Sequence, residues 1–545
     1  MTSLSTPTSV HGAASASPRT APRARHWPDW SLCLALAALW FGCTAWLRPL
    51  AIPDEGRYVG VAWEMLRSGD WLVPTLNGLP FFHKPPLFYW ITAAAMELFG
   101  PGVVAARAAP WLSAVTIVTG VFAFVARWVG RPQAWMTVVI LATVPLFYGA
   151  AQYANMDLLV AACVTSAILF AAHAALARSA GSGYRRALAA AWAAVALGVL
   201  AKGLIGAVLP LLVLMAWALA TRRLGKVLTL FTWGPGWLIF AAIAAPWFVL
   251  VQERFPDFDH YFFVVQHVER FVSTGFNNAQ PWWFYVVALV ALTLPWSPWV
   301  LLRLRRSPRI DPEASEPSDV WTLMRVWLAI VVLFFSLPSS KLIGYILPAL
   351  APLACLIAEV VWRATRATRA LDRWLVATAS VAAVGCVALV VTAHYLQPKS
   401  RQVLAETLGG LRQPGEPVFF LDNFYYDVMF YARIDAPVTV VDAWLPAEVA
   451  KDSWRRELMD AQHMAPASSP RRLLQPSGLV PALCRATSSW VIGPWPASTA
   501  RGWLAAQPPV YQSGNTALWR IDASAAAVRS ALDCRGVLAQ LNPGP

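Results

Sequence analysis

The chain has 545 residues, 58% of them hydrophobic and 13% charged, with a mean hydropathy of +0.51. That charged share is about half of a typical soluble domain's, which excludes a soluble globular enzyme and a disordered chain and makes a polytopic membrane protein the default. The net charge of +14 does not point to nucleic acid, because the basic residues sit in short loops between apolar runs, where membrane topology accounts for them. The 29 Trp residues suit a chain that meets membrane–water boundaries. The Cys residues show no metal-ligand spacing. Only Cys484 and Cys534 fall in the polar C-terminal part, where a disulfide outside the membrane is open to them.

In chain order, residues 1–29 begin with a stretch rich in Ser, Ala, Pro and Arg, expected to be a disordered cytoplasmic tail. No small-residue cleavage site follows the first apolar run, so 30–50 reads as a retained transmembrane helix rather than a signal peptide. Further apolar runs lie near 86–100, 105–126, 134–151, 157–177, 187–201 and 203–220, then near 234–251, 282–302, 321–337, 342–362 and 374–395. Every second loop between them is basic, as with Arg178, Arg185 and Arg186 or with Arg363, Arg366, Arg369 and Arg373. The positive-inside rule then puts the N-terminus in the cytoplasm. The run 86–100 is short for a crossing and does not fit as one plain span, so the expectation is about 11–13 transmembrane helices over 30–396.

This topology leaves long outer loops at 51–85 and 252–281. After about residue 397 the composition changes, and short β-rich runs appear near 417–421, 437–441, 490–492 and 517–521, interleaved with helix-like segments such as 446–461. That pattern predicts a small α/β domain over 397–545, on the periplasmic side. The sequence has no internal repeat, Walker A loop, Rossmann glycine pattern or zincin motif, so ATP-driven transport has no support.

The chemistry is expected among polar residues at outer helix ends. Pro53-Asp54-Glu55-Gly56-Arg57-Tyr58 opens the first loop. Asp54 is placed to cap a helix, Gly69 to stop it, and Val59, Ala62, Trp63 and Leu66 form one apolar face. A short helix lying on the bilayer surface follows. Asp54, Arg57 and Tyr58 would share one side of it; a capping role alone is the alternative for Asp54. The loop ends Phe81-Phe82-His83-Lys84-Pro85-Pro86. Paired prolines start a helix readily, and a cation above a helix N-terminus favours an anion such as phosphate. A snorkelling Lys at the membrane edge is the plain alternative.

These motifs occur in order with Ser68-Gly69-Asp70-Trp71-Leu72-Val73-Pro74, Asn77-Gly78, Lys84-Pro85-Pro86-Leu87-x-Tyr89-Trp90, Leu98-Phe99-Gly100, Asp157, His267-Val268-Glu269-Arg270-Phe271 and Lys341-Leu342-x-x-Tyr345-Ile346-Leu347-Pro348. Together they resemble the aminoarabinose lipid A transferases, relatives of the dolichyl-phosphate-mannose protein mannosyltransferases in the GT-C class. The resemblance covers about residues 30–395; the C-terminal part matches only in placement and α/β character.

The resemblance implies a GT-C glycosyltransferase of the bacterial inner membrane that takes a sugar, such as aminoarabinose, from undecaprenyl phosphate at the periplasmic face. Its acceptor would be lipid A or a related envelope component. It maps an acidic catalytic pair onto Asp54 and Asp157. Arg57, Tyr58, Lys84, Lys202, Arg270, Lys341 and Tyr345 would then surround the carrier phosphate. The family usually carries a metal-binding Glu before Lys-Pro-Pro, where this chain has His83. Imidazole also binds zinc, so His83 with His267 is the candidate divalent-metal pair. The segment at 277–283 is shorter than in the family.

Two rival classes follow from the same residues. A secondary transporter would carry ionisable groups near the bilayer midplane, whereas here they fall at outer helix ends. A polyprenyl-dependent protein O-glycosyltransferase shares the catalytic core and differs in its acceptor groove.

Overall fold

The computed structural model describes residues 27–269, 278–304, 318–368, 370–396, 400–465, 472–497 and 501–536. The expected tail lies almost wholly outside them. A helical bundle carries at one end a small sheet domain formed by the C-terminal part of the chain. Among the described residues six helices are long and apolar enough to cross a membrane, or seven if the bent pair Arg131–Ala142 and Pro145–Ala151 is one span. That measure leaves out shorter apolar helices such as Asp29–Gly42 and Ile205–Ala220. Several apolar runs are broken or too short to cross as one straight helix. The bent pair turns by 69°, Phe284–Leu292 gives way to a 3-10 segment at Ser297–Leu304, and another 3-10 segment, Ile343–Ala349, precedes Leu350–Ala367. The Leu87–Phe99 helix has 13 residues, roughly 20 Å of rise, and confirms that 86–100 is no plain crossing. The first apolar helix ends at Gly42 rather than near residue 50, the chain running on in turns through Arg48 and Pro49. The Asp157–Ser179 helix is the enclosed centre of the bundle, whereas Leu371–Leu396 lies at its edge.

Two short strands, β1 (Thr75–Leu76) and β2 (Leu79–Pro80), form a hairpin in the first loop. The C-terminal domain holds β3 (Val418–Leu421), β4 (Thr439–Val441), β5 (Leu473–Leu474), β6 (Ser488–Pro494), β7 (Tyr511–Ser513) and β8 (Thr516–Asp522), in the order β5-β4-β3-β6-β8-β7. The first four in that order run parallel, β8 pairs antiparallel to β6, and β7 pairs antiparallel to β8. All four residues of β3 are buried, as a central strand covered on both faces requires. The helix-like stretch 446–461 resolves into Pro446–Val449 and Trp454–Met464. Cys484 and Cys534 form a disulfide.

The helix Asp54–Ser68 departs most from expectation. Gly69 ends it in the left-handed conformation at φ 70°, as glycine permits. Asp54, however, is the first helical residue; Pro53 holds the cap position and no side chain caps the helix. Nor does the helix lie against a bilayer. The sheet domain covers it. Trp63 Nε1 donates to the Ile434 carbonyl at 2.9 Å, and Asn77 exchanges two hydrogen bonds with the backbone of Val438 at 2.8 and 2.9 Å. Glu64 Oε1 accepts from the Asn77 N–H, and its Oε2 from the Gly78 N–H and the Thr75 hydroxyl. The helix therefore carries the hairpin that docks on the sheet domain. A Cβ on Gly56 would come within 3.1 Å of the Tyr426 side chain and of the Asp427 backbone. The apolar face read from Val59, Ala62 and Trp63 is correct, and its cover is protein on both sides.

Candidate active site

The site begins with a carboxylate that the sequence did not single out. Glu55 is fully buried and accepts from the backbone N–H groups of Ala51 and Ala154, each at 2.7 Å. It also pairs with Arg48 and, at 3.1 Å, with Arg107. Burial pushes its carboxyl up, but the guanidinium groups of Arg107 and Arg48 prevail and hold it down at about 2. Arg107 in turn donates to the carbonyls of Ala45 and Arg48 at 2.7 and 3.0 Å. Two arginines and two amides thus satisfy one buried charge, the condition under which such a group is tolerated. The consequence is positional. Glu55 ties the start of the 54–68 helix to the loop before the Asp157–Ser179 helix, and so brings Asp54 and Asp157 to one place.

They meet in a polar pocket of about 100 Å³. On one wall Asp54 pairs with Arg57 and receives the Tyr153 hydroxyl at 3.4 Å. On the other, Asp157 pairs with Lys202, whose ammonium lies 4.4 Å from the Tyr345 ring centre. A cation over an aromatic face in a shielded place is held there firmly. Asn155 Oδ1 accepts the Asp157 N–H at 2.9 Å and sets the loop. Gly344 supplies the remaining space, since a Cβ there would lie 2.1 Å from Asp157 Oδ2. His83, Lys84 and Tyr58 complete the membrane-domain lining.

The sheet domain contributes Asp452 and Glu457 to the same pocket. Glu457 pairs with Arg57 and accepts from the Tyr426 hydroxyl. Arg57 is thereby shared between Asp54 and Glu457, 400 residues apart from the latter in sequence. Neither Asp452 nor Glu457 belongs to a recognisable pattern; only the fold brings them here.

Two larger cavities meet the acids. One, of about 410 Å³, is lined by Lys84, Lys202 and Asp157 together with Val160, Val164, Val208, Phe334 and Pro348. The other, of about 710 Å³, is lined by both Asp54 and Asp157 and carries Lys341. Of the residues expected around a carrier phosphate, Arg57, Tyr58, Lys84, Lys202 and Tyr345 therefore converge. Lys341 does not join them. It faces the second cavity, with Nζ donating to the carbonyls of Gln280 and Pro338 at 2.9 and 2.5 Å. Arg270 and the side chain of His267 lie outside the described residues.

His83 stacks on Phe81, the ring centres 4.4 Å apart, with Tyr261 6.0 Å away. Among the described residues no three His, Cys, Asp or Glu side chains converge as a metal site would require. The pocket acids Asp54 and Asp157 are matched instead by the cations Arg57 and Lys202.

A family model described as dolichyl-phosphate-mannose-protein mannosyltransferase matches residues 83–249. The undecaprenyl phosphate-alpha-4-amino-4-deoxy-L-arabinose arabinosyl transferase of Aeromonas salmonicida is 35% identical over 323 residues, 57% of this chain and 56% of the relative. The enzyme of the same name from Erwinia tasmaniensis is 36% identical over 328 residues, 59% of this chain and 57% of the relative. The matched stretch is thus little more than half the length of either relative. In structure, ArnT from Cupriavidus metallidurans, in a crystal structure bound to undecaprenyl phosphate, superposes with a TM-score of 0.75 at 23% identity, over 93% of this chain and 99% of that one. The chain has the GT-C fold that its motifs implied, and its resemblance to the aminoarabinose transferases extends from those motifs to a continuous stretch of sequence.

Proposed function

We propose that this chain is an integral membrane glycosyltransferase that moves a sugar from an undecaprenyl-phosphate carrier to lipid A or a related envelope acceptor. The sugar class is an amino sugar such as aminoarabinose. We place the protein in the bacterial inner membrane, with the N-terminus cytoplasmic and the sheet domain periplasmic, the arrangement favoured by the basic loops. One observation carries the reading. Lys84, Lys202 and Asp157 line a cavity whose other walls are mostly apolar. A polyprenyl phosphate has that same division, an anionic head on a hydrocarbon tail.

The chemistry follows from charge. As the sugar carbon leaves the carrier, the electron pair of the breaking C–O bond passes to a phosphate oxygen. Fixed cations in a partly enclosed site stabilise that developing charge without reorganising. Asp157 holds one of them, Lys202, over Tyr345. A phosphate acceptor is already anionic and needs no base, whereas a hydroxyl acceptor does. Asp54, engaged with Arg57, then orients the incoming group rather than removing a proton.

Protein O-glycosylation is the second reading, favoured by the family model matched at residues 83–249. Purified protein in nanodiscs, given undecaprenyl-phosphate aminoarabinose with lipid A or with periplasmic protein as acceptor, separates the two; sugar appearing on neither rejects the proposal. A divalent metal held by His83 and His267 is a separate proposal, tested by elemental analysis. Metal that falls in His83→Ala carries it. A wild type that lacks stoichiometric metal and works in a chelator removes it.

A further inference from the structure

A third recess, of about 580 Å³, lies in the other half of the bundle from the paired acids. The Asp157–Ser179 and Arg185–Lys202 helices meet through Asp157 and Lys202 at one end and are joined by residues 180–184 at the other. Ala171, which lines the recess, stands roughly 20 Å along its helix from Asp157. The shape of the recess follows from two close contacts. A Cβ on Gly206 would lie 2.2 Å from the Gly198 backbone, so the Ile205–Ala220 helix touches Arg185–Lys202 near its start. A Cβ on Gly236 would lie 2.3 Å from Trp192 Nε1, which seats the Gly234–Arg254 helix on that indole. The recess lies between those two helices, and the short Leu224–Phe231 helix that links them in the chain adds Val227, Leu230 and Phe231 to its lining. Leu211 and Trp237, also in the lining, are 43% and 56% exposed, so it opens sideways, where hydrocarbon surrounds helices that span. It is not the carrier cavity: on the Ile205–Ala220 helix Val208 and Leu209 line that one, whereas Ala207, Leu211 and Leu214, on a different face, line this one.

The chain segments at this end of the bundle carry cations alone. Residues 178–186 and 220–231 hold five arginines, Lys226 and no Asp or Glu. Arg178 donates through Nη1 to the Thr229 hydroxyl, between the lining residues Leu228 and Leu230, and its guanidinium lies 5.4 Å from the Tyr184 ring centre. Arg185 precedes Leu188 and Trp192 by three and seven residues, which puts it on their face of the helix and a turn nearer the end. Arg223 is met by Asp319 at 2.6 Å, an acid that another helix supplies. Topology accounts for cations at this end, but not for an apolar recess directly beside two of them. Basic pockets between transmembrane helices hold anionic lipid head groups at the membrane surface.

We infer that this recess binds an anionic glycerophospholipid of the leaflet away from the sheet domain. One acyl chain lies against Leu188, Leu211 and Trp237, and the head-group phosphate meets Arg178 and Arg185. The phosphate gains charge-assisted hydrogen bonds from the guanidinium groups, while the chain covers apolar surface that protein leaves open. A ligand that binds only the folded bundle stabilises it, so the lipid supports the 205–220 and 234–254 helices where no side chain fills the space between them. The site takes no part in sugar transfer and stands or falls without the transferase reading.

The test uses the full-length protein in phosphatidylcholine nanodiscs containing a trace of phosphatidylglycerol or of phosphatidylcholine with a photoactivatable acyl chain. Phosphatidylglycerol should label peptides containing 188–195, 207–217 and 227–240 about fivefold above phosphatidylcholine, the factor that one cation beside an anionic head supplies. Arg178→Ala combined with Arg185→Ala should remove that preference. Arg366→Ala combined with Arg373→Ala should keep it, since these exposed arginines lie on helices that do not line the recess. Leu211→Trp, which narrows the opening, should lower labelling by both lipids. A second measurement needs no label: in detergent, added phosphatidylglycerol should raise the melting temperature of the wild type more than phosphatidylcholine does, and the two should act alike on the double-arginine variant. Equal labelling or equal melts in the two lipids, or a preference that survives loss of Arg178 and Arg185, overturns the proposal. So does displacement of the label by undecaprenyl phosphate, which would make the recess part of the carrier's path.

Discussion

Glu55 Oε1 accepts the backbone N–H of Ala154 at 2.7 Å, a bond that ties the helix bearing Asp54 to the loop that ends at Asp157. The two acids proposed for catalysis are thus set by a third that does not line their pocket. Glu55 is a positioning residue.

Replacing it with Gln should therefore damage both fold and activity. The amide keeps the shape and one acceptor oxygen but leaves Arg48 and Arg107 buried without their counter-charge. Breaking a buried pair by removing one partner costs about 3–5 kcal/mol. A thermal melt in detergent should shift down markedly, and Glu55→Asp should recover only part of it, being one methylene too short. A melt unchanged in Glu55→Gln would mean that the arginines find other acceptors.

Asp157→Asn should abolish transfer with the melt preserved, because the amide removes the charge that holds Lys202 without changing volume. Lys202→Ala should weaken carrier binding by roughly 1.5–3 kcal/mol, the range for a hydrogen bond to a charged group. Gly344→Ala should resemble Asp157→Asn, because its Cβ would lie 2.1 Å from Asp157 Oδ2 and must push the carboxylate aside. If Gly344→Ala transfers sugar at the wild-type rate, the exact seat of Asp157 does not matter and its role in the reaction is wrong.

What the sequence disclosed was local. Apolar runs, the 54–68 helix with Gly69 behind it, the strands of the C-terminal domain and the cations beside Pro85 all leave a signature within a few residues. So did the acidic pair, through the family motifs. Glu457 and Asp452 left none, because an acid on an amphipathic helix looks like a solvated face until the fold turns it toward Arg57. The surface placement of the 54–68 helix failed for the same reason: an apolar helical face reports that something covers it, not whether lipid or protein does. Lys341 fell on the other cavity because adjacency in a motif with Tyr345 says nothing about which way each side chain turns. His267 and Arg270 lie where no side-chain geometry is described.

Glu457 offers a direct test of the sheet domain's part in the site. Glu457→Gln keeps an acceptor for the Tyr426 hydroxyl but removes one of the two carboxylates sharing Arg57. Arg57 should then bind Asp54 alone, and the pocket should change in kcat more than in the KM for donor. Tyr426→Phe serves as the comparison, since it disturbs the same contact without changing charge. Equal kinetics in wild type and Glu457→Gln would leave the sheet domain as a lid with no part in the chemistry.

Asp427 makes the stability of the protein depend on pH in a definite direction. It is fully buried beside the 54–68 helix, its Oδ2 accepts the Arg401 N–H at 2.8 Å, and burial pushes its carboxyl from 3.8 up to about 6 despite that bond and the Arg401 charge. The folded state therefore keeps a proton that the unfolded chain releases. The resulting stabilisation is complete below the unfolded value, near pH 3.8, and is lost as pH rises through about 6. Its full span, about 2 pH units, corresponds to roughly 3 kcal/mol. Other groups titrate in the same range, so the comparison is with Asp427→Asn, whose amide oxygen accepts the same backbone N–H and carries no charge to bury. At pH 7.5 the variant should melt higher than wild type, and by pH 4 the difference should close. An advantage that is the same at both values, or a variant that melts lower at pH 7.5, would show that Asp427 is not held protonated by its burial.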